Sequence, residues 1–179
     1  EREAQALATM AHPNIVTISD YGVTEKMPFL VMELLLGKPL RKVIAGGGLT
    51  PSKAVEYARA IADGLAAAHD KEIIHRDLKP ENVIAASSGY YKVLDFGVAR
   101  HCGDPSDTEQ NRLLWATKDY ASPEVLSGLP PVVEDDVFSL ACVAYRLLSG
   151  KHPFGGTLSL VAMRKGFVVE AIPGLPSEE

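Results

Sequence analysis

Residues 73–84 read IIHRDLKPENVI, and the apolar residues at each end enclose a His, an Arg, two acids, a Lys, a Pro and an Asn. Several of these side chains suit one chemistry. Asp77 is a carboxylate able to accept a hydroxyl proton or to orient the hydroxyl. Lys79, two residues on, brings positive charge to an oxygen that gains negative charge. Asn82 offers a neutral carbonyl oxygen to a metal ion, and Asp95, thirteen residues later, a harder carboxylate. Mg2+ takes oxygen ligands of this kind. Gly97 follows Phe96 and lets the backbone turn where a side chain would obstruct it.

Such groups act only if the surrounding elements hold them. Thr50-Pro51 is a strong helix start, and Val55, Ala58, Ile61, Ala62 and Leu65 then recur at helical spacing up to about His69. This helix leads directly into the polar stretch. Val137 to Leu148 is a mostly apolar run of helical length, read as buried and ended by Gly150. Upstream, residues 1–11 are rich in helix formers, with Leu7, Met10 and Ala11 on one face, and His12-Pro13-Asn14 stops them. Ile15 to Gly22 and Pro28 to Leu34 read as two strands of a hairpin, marginal alone. Gly37 breaks that pattern, Pro39 to Ile44 reads as a short helix, and Gly46-Gly47-Gly48 ends it. Lys92 to Leu94 is a short apolar run just before Asp95. Residues 101–112 read as a polar loop, and Leu158 to Arg164 as a short helix.

The 179 residues suffice for one domain or two small lobes sharing a core. Apolar residues make up 46% and charged residues 23%, as in soluble globular proteins, and the net charge of -5 gives no reason to expect nucleic acid or an anionic membrane as partner. Cys102 and Cys142 form neither a metal spacing nor a disulfide framework, which fits a reducing, cytoplasmic setting. No apolar run reaches the roughly 18 residues of a membrane span, so no membrane contact is expected of this segment, although a parent protein could be tethered elsewhere.

Three further motifs follow IIHRDLKPENVI in order: Asp95-Phe96-Gly97, Tyr120-Ala121-Ser122-Pro123-Glu124 and Asp136-Val137-Phe138-Ser139-Leu140. Their order and spacing resemble the catalytic half of a eukaryotic-like protein kinase, and the opening REAQALATMAHPNIV looks most like its bacterial serine/threonine branch. The resemblance covers essentially the whole chain. It implies an α+β fold: a partial small lobe over 1–35, with one helix and a β-hairpin, and a partial, mainly helical large lobe over 36–179. It implies transfer of the γ-phosphoryl group of ATP to Ser or Thr hydroxyls of a protein substrate, with two Mg2+ ions. By resemblance Asp77 is the catalytic Asp, Lys79 reaches the transferring phosphate and marks the serine/threonine class, and Asn82 and Asp95 hold the metals. Met32 guards the back of the nucleotide pocket. Glu33 and Leu35 lie on the hinge beside adenine. Ile84 lies under the adenine ring, or is plain core. His75 and Phe96 join Leu7 and Ile18 in a buried column. Asp136 holds the catalytic-loop backbone, or caps its helix. Arg76 marks a kinase switched by phosphorylation of residues 95–124, with Ser106 and Thr108 as candidates. Thr117 matches the Thr near the substrate hydroxyl, and Trp115 packs that segment or faces a partner.

The chain also departs from the family. Ala116 replaces a Gly, and Leu36 replaces an acidic residue near the ribose. Glu3 matches a Glu that pairs with a strand Lys, but that Lys and the Gly-x-Gly-x-x-Gly loop are not in these residues. Nor is an Arg partner for Glu124. The chain therefore reads as the middle of a kinase domain and, alone, as nearly inactive, since phosphoryl transfer rests on positioning and electrostatics. Two readings compete: a non-catalytic, pseudokinase-like scaffold, and a small-molecule kinase. A homodimer through uncovered apolar surface is a further expectation.

Overall fold

A computed structural model describes residues 10–24, 27–96 and 118–172. Glu3, Leu7, Gly97, Ser106, Thr108, Trp115, Ala116 and Thr117 lie outside them, as does nearly all of the helix expected over 1–11; Met10 and Ala11 are not helical.

Two long helices form the centre. Helix α2 (Pro51–His69) follows the short α1 (Leu40–Val43) and packs on α4 (Val133–Ser149). Between α2 and α4 in the chain comes the short α3 (Pro123–Leu126), and α5 (Ser159–Arg164) comes last. Helix α2 starts where Thr50-Pro51 predicts, although the Thr50 side chain makes no capping hydrogen bond. Of the residues that recur at helical spacing, Ile61 and Leu65 are buried and Ala58 and Ala62 half-buried, but Val55 is 63% exposed, and Ala54, Tyr57, Gly64 and Ala68 complete the buried face. The Tyr57 ring lies 4.1 Å from the Tyr91 ring, and burying that aromatic area outweighs burying a valine. Helix α4 begins at Val133, four residues before the apolar run, and Val137 is 59% exposed rather than buried. Its first turn is capped by Asp135, whose Oδ2 accepts the Val132 amide at 2.8 Å. Gly150, at φ +74°, closes it in the left-handed conformation.

The glycine run beside α1 serves packing as well as termination. The Leu49 amide donates to the Leu147 carbonyl at 2.6 Å, and a Cβ on Gly48 would lie 2.0 Å from the Leu148 carbonyl oxygen. Backbone thus meets backbone where α4 ends.

Strands β1 (Ile18–Thr24) and β2 (Met27–Met32) form the expected antiparallel hairpin, with an irregularity between Ile18 and Asp20. The limits differ from those read in the sequence: β1 runs past Gly22, and β2 stops before Glu33. A second sheet has the order β3 (Gly37–Pro39), β4 (Val83–Ala86), β5 (Tyr91–Val93), antiparallel throughout. Gly37 therefore starts a strand rather than breaking one. A Cβ there would sit 2.3 Å from the Ala85 carbonyl oxygen, so the close pairing with β4 requires glycine. The predicted helix from Pro39 contracts to α1, because Pro39 belongs to β3.

Residues 14–17 join the hairpin to this sheet. Val16 donates to the Val93 carbonyl at 3.0 Å, Val93 to the Asn14 carbonyl at 2.8 Å, and Asn14 Nδ2 to the Tyr91 carbonyl at 2.9 Å.

Candidate active site

The loop from Ile73 to Asn82 leaves α2 and enters β4 through a 3-10 turn at Pro80–Asn82. Ile73, Leu78 and Val83 are buried and pin its course. Its polar residues face one another.

Fully buried His75 is the centre of that arrangement. Its Nε2 lies 2.8 Å from the Leu94 carbonyl, and its Nδ1 accepts the Asp77 amide at 3.2 Å. The proton therefore belongs on Nε2. Burial pushes the imidazole pKa below its ordinary value, so the ring is neutral. One ring thus fixes both the backbone of Asp77 and the strand end that leads to Asp95. It packs on Phe96 with centroids 4.7 Å apart. Ile18, assigned with them to a buried column, lies in the same hydrophobic core.

Asp136, 1% exposed, reaches this loop from α4. Its Oδ2 accepts the His75 amide at 2.8 Å and its Oδ1 the Arg76 amide at 2.9 Å. His69 Nε2 lies 2.7 Å from the same Oδ2. Of the two sequence readings, loop holding is the one found; capping falls to Asp135. The carboxylate supports a strained backbone, since Arg76 has φ +67°.

Asp77 Oδ2 receives Lys79 Nζ at 2.8 Å and Asn82 Nδ2 at 3.2 Å. Asn82 Nδ2 also donates to the Asp77 carbonyl at 2.9 Å, so the amide is oriented and its Oδ1 turns away from Asp77. The Asn82 carbonyl accepts the Leu94 amide at 2.8 Å, which ties this turn to the chain one residue before Asp95. Asp95 is exposed and has φ +53°. Asn82 Oδ1 and the Asp95 carboxylate are hard oxygen donors, a set that fits Mg2+. No group of three His, Cys, Asp or Glu suited to a metal occurs among the described residues. A Mg2+ ion here would draw its other ligands from water and phosphate, its usual mode.

The residues expected at the hinge bond to other partners. The Glu33 amide donates to the Thr17 carbonyl at 3.0 Å. Its carboxylate accepts Lys92 Nζ at 2.6 Å and the Thr17 amide at 2.8 Å. Burial raises the Glu33 pKa, but Lys92 and Thr17 outweigh it and hold the group below its ordinary value. Met32 is exposed, while Leu35 and Ile84 are half-buried. Among the described residues Met32, Glu33 and Leu35 form no hydrogen bond or ion pair with the Asp77 cluster. The open cleft beside Glu56, Arg59, Asp63 and Tyr91 contains none of the site residues.

Several supporting residues escaped the sequence reading. Ser122 Oγ donates to Asp135, Ser139 Oγ to the Tyr120 carbonyl at 2.8 Å, and Ser159 Oγ to the Ala121 carbonyl at 2.6 Å. Arg146 Nη1 donates to the Tyr120 hydroxyl. A signal existed: Asp135, Ser139 and Arg146 recur at helical spacing in a helix that is mostly apolar after its acidic first turn. Exposed Glu124 makes no ion pair among the described residues.

Comparison with known proteins places this geometry in a family. The protein kinase domain model matches residues 1–171. The chain is similar to a probable serine/threonine-protein kinase PknB of Lactococcus lactis, 38% identical over 98% of this chain and 28% of that protein. It is similar to serine/threonine-protein kinase PkaB of Streptomyces coelicolor, 38% identical over 99% of this chain and 45% of that protein. Among solved structures, the PknI kinase domain of Mycobacterium tuberculosis matches with a TM-score of 0.68 and 26% identity, over 85% of this chain and 56% of that one. The chain thus spans less than half the length of either curated relative.

Proposed function

The chain belongs to the protein kinase family, and we propose that the protein containing it transfers the γ-phosphoryl group of ATP to serine or threonine hydroxyls of other proteins. The observation that carries this reading is the Asp77 carboxylate, held between Lys79 and Asn82 with its backbone fixed by His75. The acceptor oxygen forms a bond to the γ-phosphorus as the bond to the ADP oxygen breaks, and Asp77 takes the hydroxyl proton. Lys79, beside that carboxylate, offsets negative charge on the transferring group. Asn82 orients Asp77 with its amide nitrogen and presents its oxygen, with Asp95, to Mg2+. That ion, when bound, neutralises phosphate charge.

In this reading Ile84 and the backbone of Glu33 and Leu35 border the adenine, with Met32 behind it. Residues 1–35 belong to a small lobe and 36–179 to a large one. Arg76 grips a phosphate carried on Ser106 or Thr108. The 179 residues contain no Gly-x-Gly-x-x-Gly loop to cradle the phosphates, so by themselves they turn over slowly.

The test uses the full-length protein with ATP, Mg2+ and Ser/Thr peptides. Asp77→Asn is expected to lower the transfer rate by about 10²–10⁴-fold while ATP binding persists. A full-length wild-type protein that binds ATP but never transfers phosphate would support the scaffold reading instead.

A further inference from the structure

Lys92 stands at a place in β5 where packing alone would accept an apolar residue. Its neighbours Tyr91 and Val93 are buried, and its own side chain is 15% exposed. Its cross-strand partner is Ile84, and such partners share a face of the sheet. From there Nζ reaches two oxygens, Glu33 Oε1 at 2.6 Å and the Ile15 carbonyl at 3.1 Å. A partly exposed pair of this kind adds little stability. What the ammonium adds is direction: it fixes where two other segments lie relative to β5.

Those segments are the two ends of the hairpin. The Glu33 amide donates to the Thr17 carbonyl at 3.0 Å, and Glu33 Oε1 accepts the Thr17 amide at 2.8 Å. Glu33 thus closes the hairpin on its own entry, and Lys92 fastens that closure to β5. Three residues beyond Glu33, the Leu36 carbonyl accepts the Ser87 amide at 2.7 Å, and Gly37 then pairs with Ala86 in β4. Residues 33–36 therefore form a short bridge pinned at both ends. Backbone makes the second pin; a side-chain pair completes the first. Between the pins Leu34 is 87% exposed, and the backbone of Leu34 and Leu35 makes no hydrogen bond among the described residues. A bridge held in this way offers its free amides and carbonyls to a ligand already in place, and groups ordered beforehand bind more tightly than groups that must be ordered on binding.

We propose that Lys92 is a positioning residue for the nucleotide: by holding Glu33 Oε1 and the Ile15 carbonyl it presets residues 33–36 for the adenine base. The inference rests on the kinase reading above, which puts adenine beside Glu33, Leu35 and Ile84. It is tested with the full-length protein, by steady-state kinetics with ATP, Mg2+ and a Ser/Thr peptide, and with adenosine as a competitive inhibitor. Lys92→Met is expected to raise KM for ATP about fivefold, the most that a partly exposed pair can supply, with kcat and KM for the peptide unchanged. The inhibition constant of adenosine, which carries no phosphate, should rise by the same factor. Glu33→Met should do at least as much, since it also frees the Thr17 amide, and adding Lys92→Met to it should change nothing further, because the two residues act as one pair.

A merely structural role would reduce the folded fraction, lowering kcat and leaving KM for ATP in place; that result overturns the proposal. So does a loss of ATP affinity without a loss for adenosine, which would put the effect at the phosphates and Asp95, or effects of the two substitutions that multiply in the double variant. KM and the inhibition constant do not depend on how much of the protein is folded, so the test survives partial unfolding of a variant. A wild type that transfers phosphate while Lys92→Met leaves KM for ATP unmoved fails this inference alone. A wild type that transfers none fails the kinase reading, and this inference with it.

Discussion

In loop 73–82 the backbone is positioned by buried side chains, while in the β1–β2 hairpin the side chains hang from a backbone ladder. Asp136, His75 and Asn82 are all buried, and each spends its polar atoms on the loop amides, on carbonyls or on Asp77. The hairpin exposes Val23, Met27, Phe29 and Val31 and is tied to the rest by residues 14–17 and the Lys92–Glu33 pair. The difference teaches where positional accuracy comes from. Buried polar groups are costly to leave unpaired, so a satisfied network has one geometry. A ladder with an exposed apolar face tolerates many. Opening free energy should therefore be high in the loop and low in the hairpin.

The largest break in that contrast comes from Asp136→Ala. It leaves the His75 and Arg76 amides and His69 without their shared acceptor, and it should cost about 3–5 kcal/mol in urea unfolding, since each buried donor left unpaired costs about 1–3 kcal/mol. A loss below about 1 kcal/mol would mean that the network is not what fixes the loop.

One substitution type, made in β3, which pairs with the strand leaving the loop, and in the hairpin, sharpens the contrast. At Gly37 an added Cβ meets the Ala85 carbonyl oxygen at 2.3 Å, and backbone cannot step aside. Gly37→Ala should cost about 1–3 kcal/mol. At Gly22 the nearest atom is the tip of the Phe29 ring, at 2.7 Å, which can swing away. Gly22→Ala should stay within about 0.5 kcal/mol in the same assay.

Acid should act on the loop side first. Burial depresses the pKa of His75 and His152 below the ordinary 6.5. Above that value both states are neutral and stability is flat. Below it the unfolded chain binds protons that the native state refuses, so stability falls by up to about 1.4 kcal/mol per pH unit for each histidine. The fall continues until pH drops through the folded values. A urea midpoint that holds steady from pH 8 to 7 and declines from about 6.5 to 5 is the expected result. A midpoint unchanged at pH 5 would contradict neutral burial. Glu33, depressed below 4.5, adds its loss only at lower pH.

The smallest effect belongs to the hairpin. Lys92→Met removes the 2.6 Å bond to Glu33 and the 3.1 Å bond to the Ile15 carbonyl. A partly exposed pair of this kind is worth about 0.5–1 kcal/mol. Hydrogen exchange should speed up in β1 and β2 while the His75 and Arg76 amides keep their protection. Equal acceleration in both regions would erase the distinction.

The contrast also explains what could be read from the residues alone. IIHRDLKPENVI was legible because its chemistry is contiguous, and α2 and α4 because helical periodicity is strong over such lengths. The face of α2 was legible at Ile61 and Leu65 but not at its start, where Val55 is exposed and Tyr57 turns inward, since periodicity says nothing of the Tyr57–Tyr91 stack. Strand β3 was missed because three residues carry too little pattern, and Gly37 reads as a breaker until its partner Ala86 is known. The role of Asp136 was open between two accounts because a cap and a long-range acceptor look alike in sequence, and here the neighbouring Asp135 caps. Tyr120 and Arg146 drew no attention because an arginine in an apolar helix announces nothing without the hydroxyl it meets.

The joint between residues 14–17 and β5 has one more consequence. The Asn14–Tyr91 and Ile15–Lys92 contacts each close a loop of 77 residues. Closing a loop that long carries an entropic cost before any contact rewards it, and long-range pairing of this sort slows folding. During synthesis the hairpin leaves the ribosome well before β5 exists, so the order of emergence runs opposite to the order of docking. Until Val93 appears, an apolar ribbon waits without its seat, and that interval is when the nascent chain is most open to chaperones, proteases and other nascent chains.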